Sequence, residues 1–262
     1  MEQMKNIKGR SDLVGALRTR LSGCGTLRAP TRGEAGRAGL PLASARRGLH
    51  DVYAATSADS ASTNAFALGL GVGAAGGRPV VWALQHMADQ ESGRPYGPGL
   101  HQMGFRPRDL LLVRVRDAAA LLAVGEEALR SPAVGAVVLT AWGEARAFTL
   151  TASRRLAMAA RAGGGSVFLV RAAADPAPSA AETRWSVRAV ASSPLEAGAP
   201  GRPAFSATLL RSRGGEATRT WTMEWDRERR VFVEPAPLSG GLVPLAAQRQ
   251  AGARDGDMRH VA

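Results

Sequence analysis

The chain has 262 residues, with 34 Lys and Arg against 22 Asp and Glu, a formal charge of +12, and 45% hydrophobic residues. That length and composition fit one globular domain with appendages and exclude a wholly disordered chain. A single cysteine, Cys24, excludes a disulfide framework and a cysteine-rich zinc site.

The opening stretch, MEQMKNIKGRSD, lacks the apolar segment of a secretory signal, so a cytoplasmic location is expected. Leu13, Leu17 and Leu21 recur every fourth residue and predict an amphipathic helix within residues 1–22. Residues 23–47, rich in Gly, Pro, Ala and Arg, read as a linker. An alternation of strands and helices then begins. Gly48–Tyr53 is the first strand, and a Ser/Thr/Asp-rich turn over Ala54–Thr63 leads to a helix at Asn64–Ala75. The weakly polar run Ala65–Gly77 is 13 residues long. A membrane-spanning helix needs about 20, so no membrane role is expected.

Pro79–Leu84 is continuously apolar, as a strand covered on both faces should be. Gly99–Met103 reads as a helical turn, Leu110–Val115 as the third strand, and Ala118–Arg130 as a helix capped by Asp117. Glu126 and Glu127 are expected on that helix's surface. Val134–Leu139 is the fourth strand. A helix at Thr151–Arg161, capped by Thr151 or Ser153 and stopped by Gly163–Gly165, precedes a fifth strand at Ser166–Val170. The alternation predicts an α/β fold with a mostly parallel sheet flanked by helices. Beyond residue 171 the helices cease. Thr183–Val190, Phe205–Arg213, Thr218–Asp226 and Arg230–Glu234 read as strands of an antiparallel C-terminal extension. The chain thus divides into a domain over 48–234 and a mobile tail over 235–262.

Charge follows this division. Residues 1–48 carry +7, residues 49–183 carry +1 and residues 184–262 carry +4. Only Lys5 and Lys8 are lysines, and the arginine excess fits either a GC-rich coding bias or a nucleic-acid surface.

The turn after the first strand is where open α/β sheets bind ligands. A phosphate loop there needs glycines for close approach, a lysine for the phosphates and a Ser/Thr for magnesium. This loop reads AATSADSASTN and has no glycine or lysine. Thr56, Ser57, Asp59, Ser60, Ser62 and Thr63 occupy the degenerate positions, and the Asp59 charge opposes phosphate. The hydroxyls are free instead to cap the following helix. The fourth strand runs into Thr140, where a metal-holding aspartate would be needed. Gln85 follows the second strand and cannot act as a general base. No catalytic residue, metal ligand or cofactor is therefore expected. The four histidines have no ligand spacing. Trp185, Trp221 and Trp225 alternate with Arg184, Arg188, Arg211, Arg213 and Arg219. That pattern suits either DNA contact by arginines beside stacking rings or a core-facing tryptophan row beside solvated arginines.

The order of parts from Gly48 to Val170 resembles a RecA-type core. More closely, the chain resembles the ImuA family, RecA-like and SulA-like accessory proteins of bacterial inducible mutagenesis. The resemblance is carried by GLHDVY, Pro98–Arg114, EEALRS (Glu126–Ser131), LTASRRL (Leu150–Leu156), SAAETRW (Ser179–Trp185), LLRSRGG (Leu209–Gly215) and EWD (Glu224–Asp226). It implies a RecA-like fold and a noncatalytic adaptor in SOS-induced translesion DNA synthesis. The partners it implies are an ImuB-type relative of Y-family polymerases and an error-prone C-family polymerase, with RecA and DNA as further contacts near the nucleoid. A SulA-like inhibitor of cell division that binds FtsZ is the alternative it leaves.

Overall fold

The computed structural model describes residues 15–20, 47–195 and 199–235. The expected linker and tail lie almost wholly outside them, as do Leu13 and Leu21. A helical segment, α1 (residues 15–20), carries Leu17 into the core. The domain then runs β1 (Gly48–Ala54), α2 (Ser60–Ala75), β2 (Val80–Gln85), α3 (His86–Ser92), α4 (Gly97–Gln102), β3 (Leu110–Val115), α5 (Ala118–Arg130), β4 (Ala136–Trp142), α6 (Leu150–Gly163) and β5 (Ser166–Ala172). Four further strands follow: β6 (Thr183–Val190), β7 (Ala204–Ser212), β8 (Arg219–Asp226) and β9 (Val231–Val233).

The nine strands among the described residues form one sheet in the order β3-β2-β4-β5-β1-β6-β7-β8-β9. Pairings from β3 to β6 are parallel and those from β6 to β9 antiparallel. The fold is therefore the mostly parallel, helix-flanked sheet with an antiparallel extension that the sequence predicts.

Two cores lie on opposite faces. Beneath α5 and α6, Leu49, Val81, Val137, Leu139, Val167 and Leu169 meet Leu121, Val124 and Leu156, with Leu17 of α1 added. No residue of β6–β9 enters that core. The other core is aromatic and lies around α2, whose Phe66 stands 5.0 Å from Phe232, 6.0 Å from Phe205 and 6.4 Å from Trp185. The extension packs its apolar row, Trp221, Met223 and Trp225, onto this same core. At Gly69 a Cβ would come within 2.8 Å of Phe232 and Trp225, so glycine there is a condition of the close approach.

Several local expectations need correction. Glu126 and Glu127 are buried, because Arg155 from α6 and Arg18 from α1 reach across α5 to pair with them at 2.5 Å each. The cap of α6 is Thr149, whose hydroxyl accepts the Ala152 N–H at 3.1 Å. Ser153 instead donates to the Leu150 carbonyl and accepts the Ala180 N–H. Helix α3 was not foreseen, and β4 extends through Trp142 because β2 and β5 bracket it. The cap at Asp117 is as expected, accepting the Ala120 N–H at 2.8 Å.

Candidate functional site: the strand ends and the arginine face

The turn after β1 lies at the carboxyl edge of the parallel strands. A 3-10 turn, Ser57–Asp59, joins it to α2. The Asp59 carboxylate folds back on the turn. Its Oδ2 accepts the Thr56 N–H at 3.1 Å and the Thr56 hydroxyl at 2.7 Å, and its Oδ1 accepts the Ala189 N–H at 2.9 Å. Anion-binding loops work by leaving such N–H groups free to face a phosphate. Here an internal carboxylate takes that role. The turn is also fastened to β6, since Ala55 N–H donates to the Val187 carbonyl at 2.8 Å. Thr63, fully buried, donates to the Asp59 carbonyl at 2.8 Å. Ser60 is buried at the start of α2, whereas Ser57 is exposed and Ser62 half-buried.

Thr140 is buried within β4. It accepts the Trp82 Nε1–H at 3.0 Å and donates to Asn64 Oδ1 at 2.7 Å. This relay ties β2, β4 and α2 together directly beneath the turn, and it satisfies three buried polar groups at once. Gln85 accepts the Trp142 N–H at 3.2 Å and holds the ends of β2 and β4 in register. Among the described residues no group of three or more His, Cys, Asp or Glu is placed to hold a metal ion. No helix among them is long and apolar enough to cross a membrane.

An ionic lattice, buried at Asp51 and Arg171 and open to solvent at Glu144, lies on the α6 side of β1, β5 and β6. Asp51 accepts the Ser179 hydroxyl at 2.5 Å and faces Arg184 at 3.5 Å. Burial pushes its carboxyl above the ordinary range, while Ser179 and Arg184 pull it back. Arg171, 3% exposed, pairs with Glu144 at 3.0 Å and lies 4.3 Å from the Phe148 ring centre. Arg184 also donates to the Ala177 carbonyl, and Tyr53 accepts the Ala177 N–H, so the loop after β5 is tied onto the strand ends. Sequence reasoning missed this lattice. Asp51 and Arg184 are 133 positions apart, and only the parallel β1–β6 pairing makes them neighbours.

The arginines named with the tryptophans separate into two groups. Arg184 is engaged inward, as above. Arg188, Arg211, Arg213 and Arg219 are exposed and have no carboxylate in ion-pair reach among the described residues. Arg219 lies over the Trp221 ring at 5.2 Å, and Arg211 touches the Ala181 carbonyl at 3.4 Å. All three tryptophans are buried on the α2 side. They offer no stacking platform.

No protein-family model matches the chain. Two proteins, each called Protein ImuA, from Caulobacter vibrioides strains NA1000 / CB15N and ATCC 19089 / CIP 103742 / CB 15, are 35% identical to it over 197 residues, covering 68% of this chain and 73% of theirs. Among solved structures, the RadB recombinase is similar at 13% identity and a TM-score of 0.43, over 72% of this chain and 91% of RadB. SulA from Pseudomonas aeruginosa is similar at 23% identity and a TM-score of 0.28, over 37% of this chain and 72% of SulA.

Proposed function

The chain belongs to the ImuA family, and from that membership we propose that it is a noncatalytic, RecA-like accessory protein of SOS-induced translesion DNA synthesis. In this reading it works in the bacterial cytoplasm as an adaptor, docked on an ImuB-type partner and serving an error-prone C-family polymerase. The observation that carries the reading is the self-closed turn after β1. The Asp59 carboxylate accepts the Thr56 and Ala189 N–H groups, which leaves those donors engaged and places a negative charge where a phosphate would have to sit. Two further features support it. No lysine follows Lys8, and Thr140, in place of a metal-holding carboxylate, is locked between Trp82 and Asn64. A nucleotide would need groups to grip its phosphates and its magnesium, and neither is available at these strand ends. What remains is a rigid sheet that can present surfaces to partners.

The test has two arms. Purified protein, with and without DNA, is assayed for ATP hydrolysis and for ATP binding by calorimetry, and both are expected at background. Tagged protein from damaged cells is expected to co-purify the ImuB-type partner. DNA-stimulated turnover absent from a mock preparation would overturn the noncatalytic reading, and loss of the partner would overturn the adaptor reading.

A further inference from the structure

The antiparallel half of the sheet has two unlike faces. Its α2 side is the aromatic core. Its other side lies beyond the reach of the core under α5 and α6, and its middle rows carry hydroxyls and arginines, with Val190, Ala204 and Glu224 in the row beyond. Residues paired directly across antiparallel strands share a face, so the register defines this surface. One row is Ser186, Thr208 and Thr220, and the next is Arg188, Ser206 and Thr222. On the other flank of the first row, Arg184 pairs with Arg211. Strand spacing sets the two hydroxyl rows on a grid of about 4.8 Å across strands and about 6.8 Å along them, and a register shift that leaves Leu210 unpaired separates them from the Arg184–Arg211 pair.

Thr208 and Thr220 bond to each other at 2.8 Å, whereas the hydroxyls of the half-buried Ser186 and the exposed Thr222 have no partner among the described residues; Ser206, between Arg188 and Thr222, is buried. Arg188 and Arg211, at opposite ends of the hydroxyl field, are exposed and carry no carboxylate. The nearby acids are engaged: Asp51 faces Arg184, Asp59 accepts Ala189 N–H, and Glu224 accepts Ser193 N–H at 3.3 Å.

We propose that this face of β6–β8, on which no helix of the described residues packs, binds the sugar–phosphate backbone of nucleic acid, through Arg188 and Arg211 with the Ser186 and Thr222 hydroxyls between them. The inference deepens the accessory reading, from which it takes only its DNA setting. Arginine and Ser/Thr hydroxyls are the side chains that contact phosphate and sugar oxygens. A protein partner would require an apolar or aromatic anchor at the centre of the face, and the two central rows contain none, Val190 and Leu210 lying at their margins. The absence of an exposed ring also separates this surface from single-strand binders that stack bases. Binding is thus expected to be independent of sequence and no weaker for duplex than for single strands.

The experiment measures anisotropy of a fluorescein-labelled duplex against the full chain over a salt series. The face variant combines Arg188→Ala, Arg211→Ala and Thr222→Val. A control variant, Arg154→Ala with Arg227→Ala, removes the same charge elsewhere on the surface. The face variant should bind about tenfold or more weakly, with a salt slope shallower by roughly 2, while the control stays within about threefold of the parent. Inorganic polyphosphate should displace the duplex, and polyglutamate should not. Equal losses in both variants, displacement by polyglutamate, or no duplex binding by the parent at about 50 mM salt would overturn the proposal. Should the face variant unfold, phenylglyoxal modification of the unaltered protein decides the matter: DNA should protect Arg188 and Arg211, and unprotected arginines would refute the site. The face variant should still co-purify the ImuB-type partner. A parent that binds duplex but no partner would sink the adaptor reading and leave this one standing.

Discussion

A single carboxylate decides the chemistry of the turn after β1. Asp59 joins the turn to Thr56 and to β6 through three hydrogen bonds, each to a charged acceptor. Hydrogen bonds to ionised groups contribute more than neutral ones. Replacing Asp59 by Ala should lower stability by about 1–2 kcal/mol, within the range for losing a helix-start acceptor, read from the urea midpoint at unchanged slope. The same variant frees the Thr56 and Ala189 donors without adding a lysine. ATP affinity should therefore stay at background, and tight ATP binding by Asp59→Ala would show that this carboxylate alone blocks the site. The turn's lack of lysine and glycine was legible in the sequence, since it needs no coordinates. Its self-closure was not, because the Ala189 donor lies 130 residues away on β6.

The elements were legible wherever their period was long and their partners local. Ala118–Arg130 and Thr183–Val190 fall on α5 and β6 residue for residue. Burial of Glu126 and Glu127 was not legible, because it depends on arginines brought from α6 and α1. Those contacts make α1 sensitive to acid. The Arg18 guanidinium, and then Arg130, hold the Glu127 carboxyl below its ordinary value of 4.5. A lowered folded value contributes stability above the ordinary value, and the contribution fades as pH falls through the folded one. Protection factors in residues 15–20, which correct for the intrinsic pH dependence of amide exchange, should fall across that acidic window in the parent and stay flat in Glu127→Gln. The contact between α5 and α6 has a different requirement. A Cβ at Gly163 would stand 1.9 Å from the Leu129 carbonyl oxygen, and backbone cannot move aside as a side-chain tip can. Gly163→Ala should cost about 2–3 kcal/mol, at the upper end for overpacking, and calorimetry showing an unchanged melting temperature would contradict this packing.

At the scale of the whole molecule the sheet joins a doubly covered parallel half to an extension that the described residues cover on one side. Leu17 is 4% exposed against the chain's own core, so α1 has a binding place without a second copy. Deleting residues 1–22 should therefore destabilise the monomer and leave co-purification with the ImuB-type partner intact. Long nucleotide-independent filaments on DNA, seen by electron microscopy, would contradict that self-contained arrangement. The strand order has a further consequence for how the chain is made. β1 sits at the centre of the sheet, yet both of its neighbours come late: Gly48 pairs with Ser166, and His50 with Thr183. A ribosome adding about 5–20 residues per second needs roughly 6–24 s to cover the 118 positions between Gly48 and Ser166. During that interval β1 is a nascent strand with neither edge matched and with Leu49, Val52 and Tyr53 still uncovered, a natural client for a chaperone. Synonymous codons that slow translation between β1 and β5 should lower the soluble yield without altering one residue of the product.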